Sequence, residues 1–336
     1  MEKTSKSIPV TLVTGLLGSG KTTAIHHLLE HKPAQETWGL LINEFGEIGI
    51  DAATLNLDSD IIEAVSGGCI CCSAQMGYQQ ALQSLLKHPL DRILIEPTGL
   101  GHPAKIIDTL RAFQPQIYLA GIICLITPAQ LTPERWQKSA VMRDLVHLAD
   151  TLLLNKIDTA SPEELQQAQT LLQSVYPPKE NILLTQFGDF AEKQPGLVDF
   201  KQTQVPFTLL EGLAEHAEQT QHTPIEYPST LPHCLKIQVQ TGSTSTIGWQ
   251  FTPQVQFNRT QFKAFIAQQS NLIRGKGILR TGNEWQLFNQ IDDQMTLEDI
   301  AWRQDSRLEL IYQTDITDQL TAIETELQKA LLVRDP

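Results

Sequence analysis

The sequence predicts an α/β protein: a mostly parallel sheet with helices on both faces, followed by a small α+β domain. Two observations carry this. Short, continuous apolar runs alternate with helix-period segments over roughly the first 187 residues, the pattern of strands buried on both faces. Beyond residue 233, β-rich segments follow one another more closely, with helical patterns at only two places. At 336 residues the chain also exceeds what one typical core accommodates.

In the first part, IPVTLVT, GLLIN, DRILIE, YLAGIICLIT, TLLLN and NILLT read as strands. Between them KTTAIHHLLEH, AQMGYQQALQSLLKH, PAKIIDTLRAF and PERWQKSAVMRDLVHLAD read as helices. Ser161 and Pro162 supply an N-cap and a first helical residue for SPEELQQAQTLLQSVY. Residues 188–232 are rich in Gln, Glu, Pro and His and read as an exposed linker. In residues 233–336, LKIQVQ, GWQFTPQVQF, LIRGKGILRT, EWQLFNQI and RLELIYQT read as strands of a largely antiparallel sheet. RTQFKAFIAQQS and TDQLTAIETELQKALL read as its helices, and Trp249, Phe251 and Trp285 as core rather than surface.

The formal net charge of −13 argues against a nucleic-acid backbone as partner. The longest apolar run, YLAGIICLI, is far short of the roughly 20 residues of a membrane helix. The expected location is therefore the cytoplasm, where structural disulfides are rare.

GLLGSGKT, Gly15 to Thr22, fits G-x-x-x-x-G-K-[ST] with a strand before it and a helix after it. Gly15, Gly18, Ser19 and Gly20 are expected to turn backbone N–H groups toward phosphates at a helix N-terminus. Lys21 is expected to reach the β- and γ-phosphates, and Thr22 to offer a hydroxyl to Mg²⁺, with Thr23 beside it. The plain alternative is a Gly-rich turn, which the flanking strand and helix disfavour. Glu96 ends the strand RILIE, where a carboxylate serves the Mg²⁺ side, and Gly99 can offer its N–H to the γ-phosphate. Asn155, Lys156 and Asp158 form N-K-x-D after the strand TLLL. A carboxylate at Asp158 can accept from N1–H and the 2-amino group of guanine and would repel the N1 lone pair of adenine. GTP is thus the expected nucleotide.

Three of the five cysteines crowd into SGGCICCSA: Cys69, Cys71 and Cys72. In a reducing compartment this suits thiolate coordination of Zn²⁺, with Cu(I) as competitor. A redox pair and buried inert thiols are the alternatives. Glu44, Glu47 and Asp51 lie in NEFGEIGID, a loop that can approach the phosphates; any of the three can orient the attacking water, and Glu44 can join the thiolates. Cys124 reads as core, and Cys234 as the start of a strand. His26, His27 and His31 read as ordinary helix residues, and His216, His222 and His233 as scattered linker histidines. His102 is equally readable as a ligand or as a packing residue at a helix start.

GLLGSGKTT, NEFGEIGID, GGCICC, EPTGLGHP and NKID, in that order and with RGKGIL further on, resemble the CobW-type family of P-loop GTPases. The forms EPTGLGHP and NEFGEIGID resemble its YeiR-like branch. The resemblance implies a GTPase domain, GTP/GDP and Mg²⁺ binding, slow intrinsic turnover, and Zn²⁺ or Co²⁺ at Cys-x-Cys-Cys. It also implies delivery of that metal to a client metalloprotein that the sequence does not name, by a monomer or homodimer. Two other classes share parts of this pattern. A redox-switch GTP-binding protein would use the cysteines as a thiol/disulfide pair, and a small-molecule kinase would use only the phosphate loop.

Overall fold

The computed structural model describes residues 7–43, 61–65, 73–97, 103–179, 181–190, 225–227, 229–241, 244–291 and 294–333. The chain divides into two units, Met1–Thr203 and Gln204–Pro336.

In the first unit the elements are β1 (Ile8–Gly15), α1 (Lys21–Glu30), β2 (Trp38–Asn43), β3 (Ile61–Val65), α2 (Ser73–Leu85), β4 (Arg92–Glu96), α3 (Pro103–Arg111), β5 (Ile117–Ile126), α4 (Pro133–Lys138), α5 (Ala140–Leu148), β6 (Thr151–Leu154), α6 (Pro162–Gln173) and β7 (Asn181–Leu184). The strands form one sheet in the order β3-β2-β4-β1-β5-β6-β7, and every pairing is parallel. Helices bury both faces. On one, Ala24, Ile25, Leu28 and Leu29 of α1 pack against Val13, Leu40, Leu94 and Leu153; these helix positions recur at the i, i+4 spacing of a single stripe. On the other, Met142, Leu145 and Val146 of α5 and Ala168 and Leu172 of α6 cover Cys124, Ile126, Leu152 and Leu154. Because all strands run one way, β1, β4, β5, β6 and β7 end at one edge, where ligands of such sheets bind.

Two local details depart from the expected pattern. The helix expected over 133–150 is two helices. Ser139 adopts extended angles (φ −103°, ψ 98°), closing α4 and capping α5 by accepting from Met142 N–H. A serine offers the backbone this alternative to an unbroken helix. The short strand β3 follows the polar run LDSD, which masks its period. By contrast α6 starts as expected: Ser161 Oγ accepts from Glu164 N–H at 3.2 Å while Glu164 accepts from Ser161 N–H at 2.9 Å, a reciprocal cap.

His147, in the last turn of α5, is 5% exposed. Burial, reinforced by the Lys179 ammonium, lowers its pKa to about 3. The folded chain therefore holds the ring neutral while the unfolded chain protonates it below the ordinary value of 6.5. Between those two values stability falls as pH falls, by about 1.4 kcal/mol per pH unit from this group. Urea denaturation at pH 7 and pH 5 should show that loss, and His147→Gln should flatten it.

The second unit contains β8 (Ile225–Tyr227), β9 (Cys234–Thr241), β10 (Thr244–Phe251), β11 (Val255–Phe257), α7 (Arg259–Ala267), β12 (Leu272–Thr281), β13 (Glu284–Ile291), β14 (Gln294–Asp299), β15 (Ser306–Tyr312), α8 (Leu320–Gln328) and β16 (Leu331–Val333). Its main sheet runs β14-β13-β12-β15-β10-β9-β8, with antiparallel pairings throughout. The run GWQFTPQVQF is interrupted after Phe251, and its second half, β11, pairs with β16. The expected final helix accordingly stops at Gln328. Trp249, Phe251, Phe257, Phe262, Phe288 and Tyr312 form the core with Ile323 and Leu327 of α8, and Trp285 is also buried. Part of the segment read as exposed linker is structured here. Strand β8 pairs with β9, and Leu231 joins the core. Glu324 ties the segment down: it accepts from Ser229 Oγ at 2.9 Å, Thr230 Oγ1 at 2.7 Å and Trp249 Nε1 at 3.1 Å, and faces Lys236 Nζ at 3.3 Å.

Candidate functional site

The turn between β1 and α1 lies at the carboxyl edge of the first sheet. Gly15 has φ 144°, and a Cβ there would stand 2.2 Å from the Leu125 carbonyl oxygen. Gly20 has φ 98°, and its Cβ would stand 2.5 Å from Asn155 Nδ2. Only glycine fits these two positions, so the chain can double back between them. Ser19 N–H donates to Leu16 O at 3.2 Å, and the Gln130 side chain donates to Leu17 O at 2.8 Å, holding the loop at both sides. Gly18 lies inside this turn at φ 77°.

Lys21 opens α1, is 7% exposed, and donates to Leu16 O at 3.3 Å. Thr22 donates through Oγ1 to the Glu96 carboxylate, 3.3 Å from Oε1 and 3.5 Å from Oε2. Burial pulls the Lys21 pKa below its usual range, an effect offset by Glu96 and then by Cys124. Burial likewise raises the Glu96 pKa, offset by Lys21 and by the Thr22 hydroxyl. A cation and an acid are thus half-desolvated side by side, which favours binding of opposite charges to both. The Thr22 hydroxyl and Glu96 carboxylate are adjacent hard oxygen donors, the kind that Mg²⁺ takes together with phosphate oxygens; the pair fits that ion. Thr23 is exposed on the first turn of α1. Cys124, behind this turn, is fully buried with its thiol pushed up to about 12 by burial, so it is inert core as expected. Cys234 begins β9, half-buried.

Asn155 follows β6 and is 1% exposed. Its Nδ2 donates to Ser19 O at 2.8 Å. Its Oδ1 accepts from Thr185 Oγ1 at 3.1 Å and Gly188 N–H at 3.0 Å. One side chain therefore ties the β1–α1 turn to the loops after β6 and β7. Lys156, at φ 60°, and Asp158 are exposed next to it. Phe187, also left-handed at φ 57°, stands 66% exposed on the third loop. Two non-glycine residues in this conformation hold local strain of the sort found at ligand clamps. Thr185, Gly188 and Phe187 are additions to the expected residues. Their only signal in sequence is the position of TQFGD directly after the last strand of the sheet.

Asn155→Ala removes three hydrogen bonds and strands the buried groups that made them. A loss of about 3 kcal/mol in stability is expected, read by urea denaturation, together with weakened nucleotide binding.

Lys21, Thr22, Glu96 and Asn155 are thus brought to one edge with Gly15, Gly18, Ser19 and Gly20. Glu44, Glu47, Asp51, Cys69, Cys71, Cys72, Gly99 and His102 lie outside the described residues. Among the described residues no helix is long and apolar enough to cross a membrane.

Residues 9–183 match the family model described as CobW/HypB/UreG, nucleotide-binding domain. Residues 247–331 match the cobalamin synthesis protein CobW C-terminal domain. Zinc chaperone YeiR of Escherichia coli (strain K12) is 45% identical over 161 residues, 47% of this chain and 49% of that protein. Zinc chaperone YjiA of the same strain is 33% identical over 165 residues, 47% of this chain and 52% of that protein. The chain therefore spans about half the length of these curated relatives. A crystal structure of Zn(II)-bound YjiA GTPase from E. coli is 20% identical and covers 96% of this chain and 99% of that one, with a TM-score of 0.42.

Proposed function

Because the chain belongs to the CobW/HypB/UreG family of nucleotide-binding domains, we propose that it is a GTP-hydrolysing metallochaperone that binds Zn²⁺ and delivers it to a client metalloprotein. The observation that carries the nucleotide half is Asn155, whose amide joins the phosphate-type turn at Ser19 to the base-type loop at Asn155–Asp158. A nucleotide is the ligand that needs both loops at a fixed separation. In this reading the Gly15–Gly20 turn and Lys21 hold the phosphates. Thr22 and Glu96 hold Mg²⁺, which neutralises charge on the phosphoryl group when bound. Asp158 accepts from the guanine edge while the Lys156 stem packs on the ring. Glu44, Glu47 or Asp51 orients water toward the γ-phosphate, and Gly99 donates to that phosphate. No arginine finger is evident in the motifs, so turnover without a partner is expected to be slow.

The metal half rests on Cys69, Cys71 and Cys72, with Glu44 as a fourth donor, and on two similar proteins named zinc chaperones. Glu44 belongs to a sequence segment between the phosphate loop and the cysteines. Ordering of that segment by GTP would raise metal affinity, and hydrolysis on the client would release the ion. Zn²⁺ is preferred over Co²⁺ for its affinity to thiolates. The partner is a client metalloprotein, with neither nucleic acid nor membrane involved. The proposed organisation is a GTPase domain over 1–187 and a CobW-type domain over 233–336, with the intervening 188–232 giving Gly188 to the first and β8 and Leu231 to the second. The nucleotide half is tested by displacement of a fluorescent GDP analogue with Mg²⁺ present. GTP and GDP should displace it, and ATP should not; equal displacement by ATP would refute the guanine assignment.

A further inference from the structure

Helix α1 carries a second cluster of metal-type donors that the nucleotide reading does not use. His27, Glu30 and His31 occupy i, i+3 and i+4, which share one helix face. One donor atom from each lies within 4.8 Å of the others. His27 Nδ1 is 3.6 Å from Glu30 Oε2, and the two imidazole rings are 6.5 Å apart between centroids. Glu30 and His31 are exposed and His27 half-buried, so short side-chain rotations close the remaining distance to a common ion. The opposite stripe of the helix (Ala24, Ile25, Leu28 and Leu29) is locked into the core, which fixes the backbone beneath the three donors.

Two further features favour a cation. The His31 ring sits with Nδ1 2.8 Å from the His27 carbonyl oxygen. When that nitrogen carries the ring proton, Nε2 is the lone-pair atom, the tautomer that metal-bound histidines adopt. The cluster also closes the last turn of α1, the end at which the helix dipole is negative. Two imidazoles and a carboxylate are a donor set for a borderline divalent cation.

We propose that His27, Glu30 and His31 form a surface site for a Zn²⁺-class cation, with a fourth coordination position left to water or to an incoming donor. The site uses none of the cysteines and does not depend on the GTPase reading. Three protein donors and an open position make it an exchangeable site, suited to taking up or handing over an ion at the protein surface.

The test uses the full chain with Cys69, Cys71 and Cys72 changed to Ser, titrated with Zn²⁺ against a chromophoric chelator. One equivalent should remain bound. His31→Gln and His27→Gln should each weaken it by at least about tenfold, the lower end of what disturbing even an outer partner of a metal ligand costs. His26→Gln, one position off the face, should leave it unchanged. In the chain without these His substitutions, Zn²⁺ should protect His27 and His31 from diethyl pyrocarbonate, read by mass spectrometry. Absence of binding in the serine background, binding that survives both histidine changes, or no protection of these two rings would overturn the proposal.

Discussion

Asp158→Asn is expected to lower affinity for GTP by roughly 10³-fold or more and to create affinity for xanthosine triphosphate. Asp158 is exposed at the loop after β6, beside the buried Asn155 that fixes that loop. Its carboxylate has two acceptors for the N1–H and 2-amino donors of guanine. An amide keeps one acceptor but turns an N–H toward the 2-amino group, leaving donors face to face. Sites built to hydrogen-bond a particular edge reject a mismatched one by factors of this size. Xanthine carries a carbonyl at that position and restores the pairing. Competition against a fluorescent guanine nucleotide, followed by direct titration with the xanthine nucleotide, measures both effects. Unchanged GTP affinity would remove Asp158 from base recognition. Because the side chain is exposed, stability should move little.

Gly15→Ala should be the most damaging small substitution in the first unit. At φ 144° the backbone is in a region that favours glycine, and the added Cβ would stand 2.2 Å from Leu125 O. That oxygen belongs to the interior strand β5, paired with β1 at this very position (Gly15 opposite Leu125), so neither side can yield as a flexible side chain would. Backbone strain alone costs about 1–3 kcal/mol, and the clash adds to it. A loss of about 3 kcal/mol or more is expected in urea denaturation, with loss of nucleotide binding even where the chain still folds. A shift below about 1 kcal/mol would mean that the β1–α1 turn is not held against β5 as described.

Much of the architecture was legible because it depends on period. The apolar stripe of α1 and the continuous runs of β1, β5 and β6 have one solution, strands buried on both faces under helices. The glycines of the first loop were legible because their spacing is itself a steric requirement. Other features turn on single residues whose role depends on a distant partner. Ser139 breaks a helix that its flanking period would continue. Strand β16 forms only because β11 lies beside it. Asn155 stands out in sequence only as the first residue of N-K-x-D, and its reach to Thr185 and Gly188, residues in the loop after β7, has no local signature. Glu324, an acid on an otherwise ordinary helix, gives no sign in sequence that it anchors Ser229 and Thr230.

In the proposed mechanism, nucleotide state controls metal held by the cysteine loop. The direct measurement is Zn²⁺ affinity by chelator competition, with Mg²⁺-GDP and with a non-hydrolysable GTP analogue. It is made on the chain and on its Cys69, Cys71 and Cys72→Ser counterpart, both carrying His27→Gln and His31→Gln so that the α1 cluster is silent. Binding about tenfold tighter in the GTP state is expected, within the usual range of coupling between sites, and it should be lost with the cysteines. Equal affinity in the two nucleotide states would contradict it.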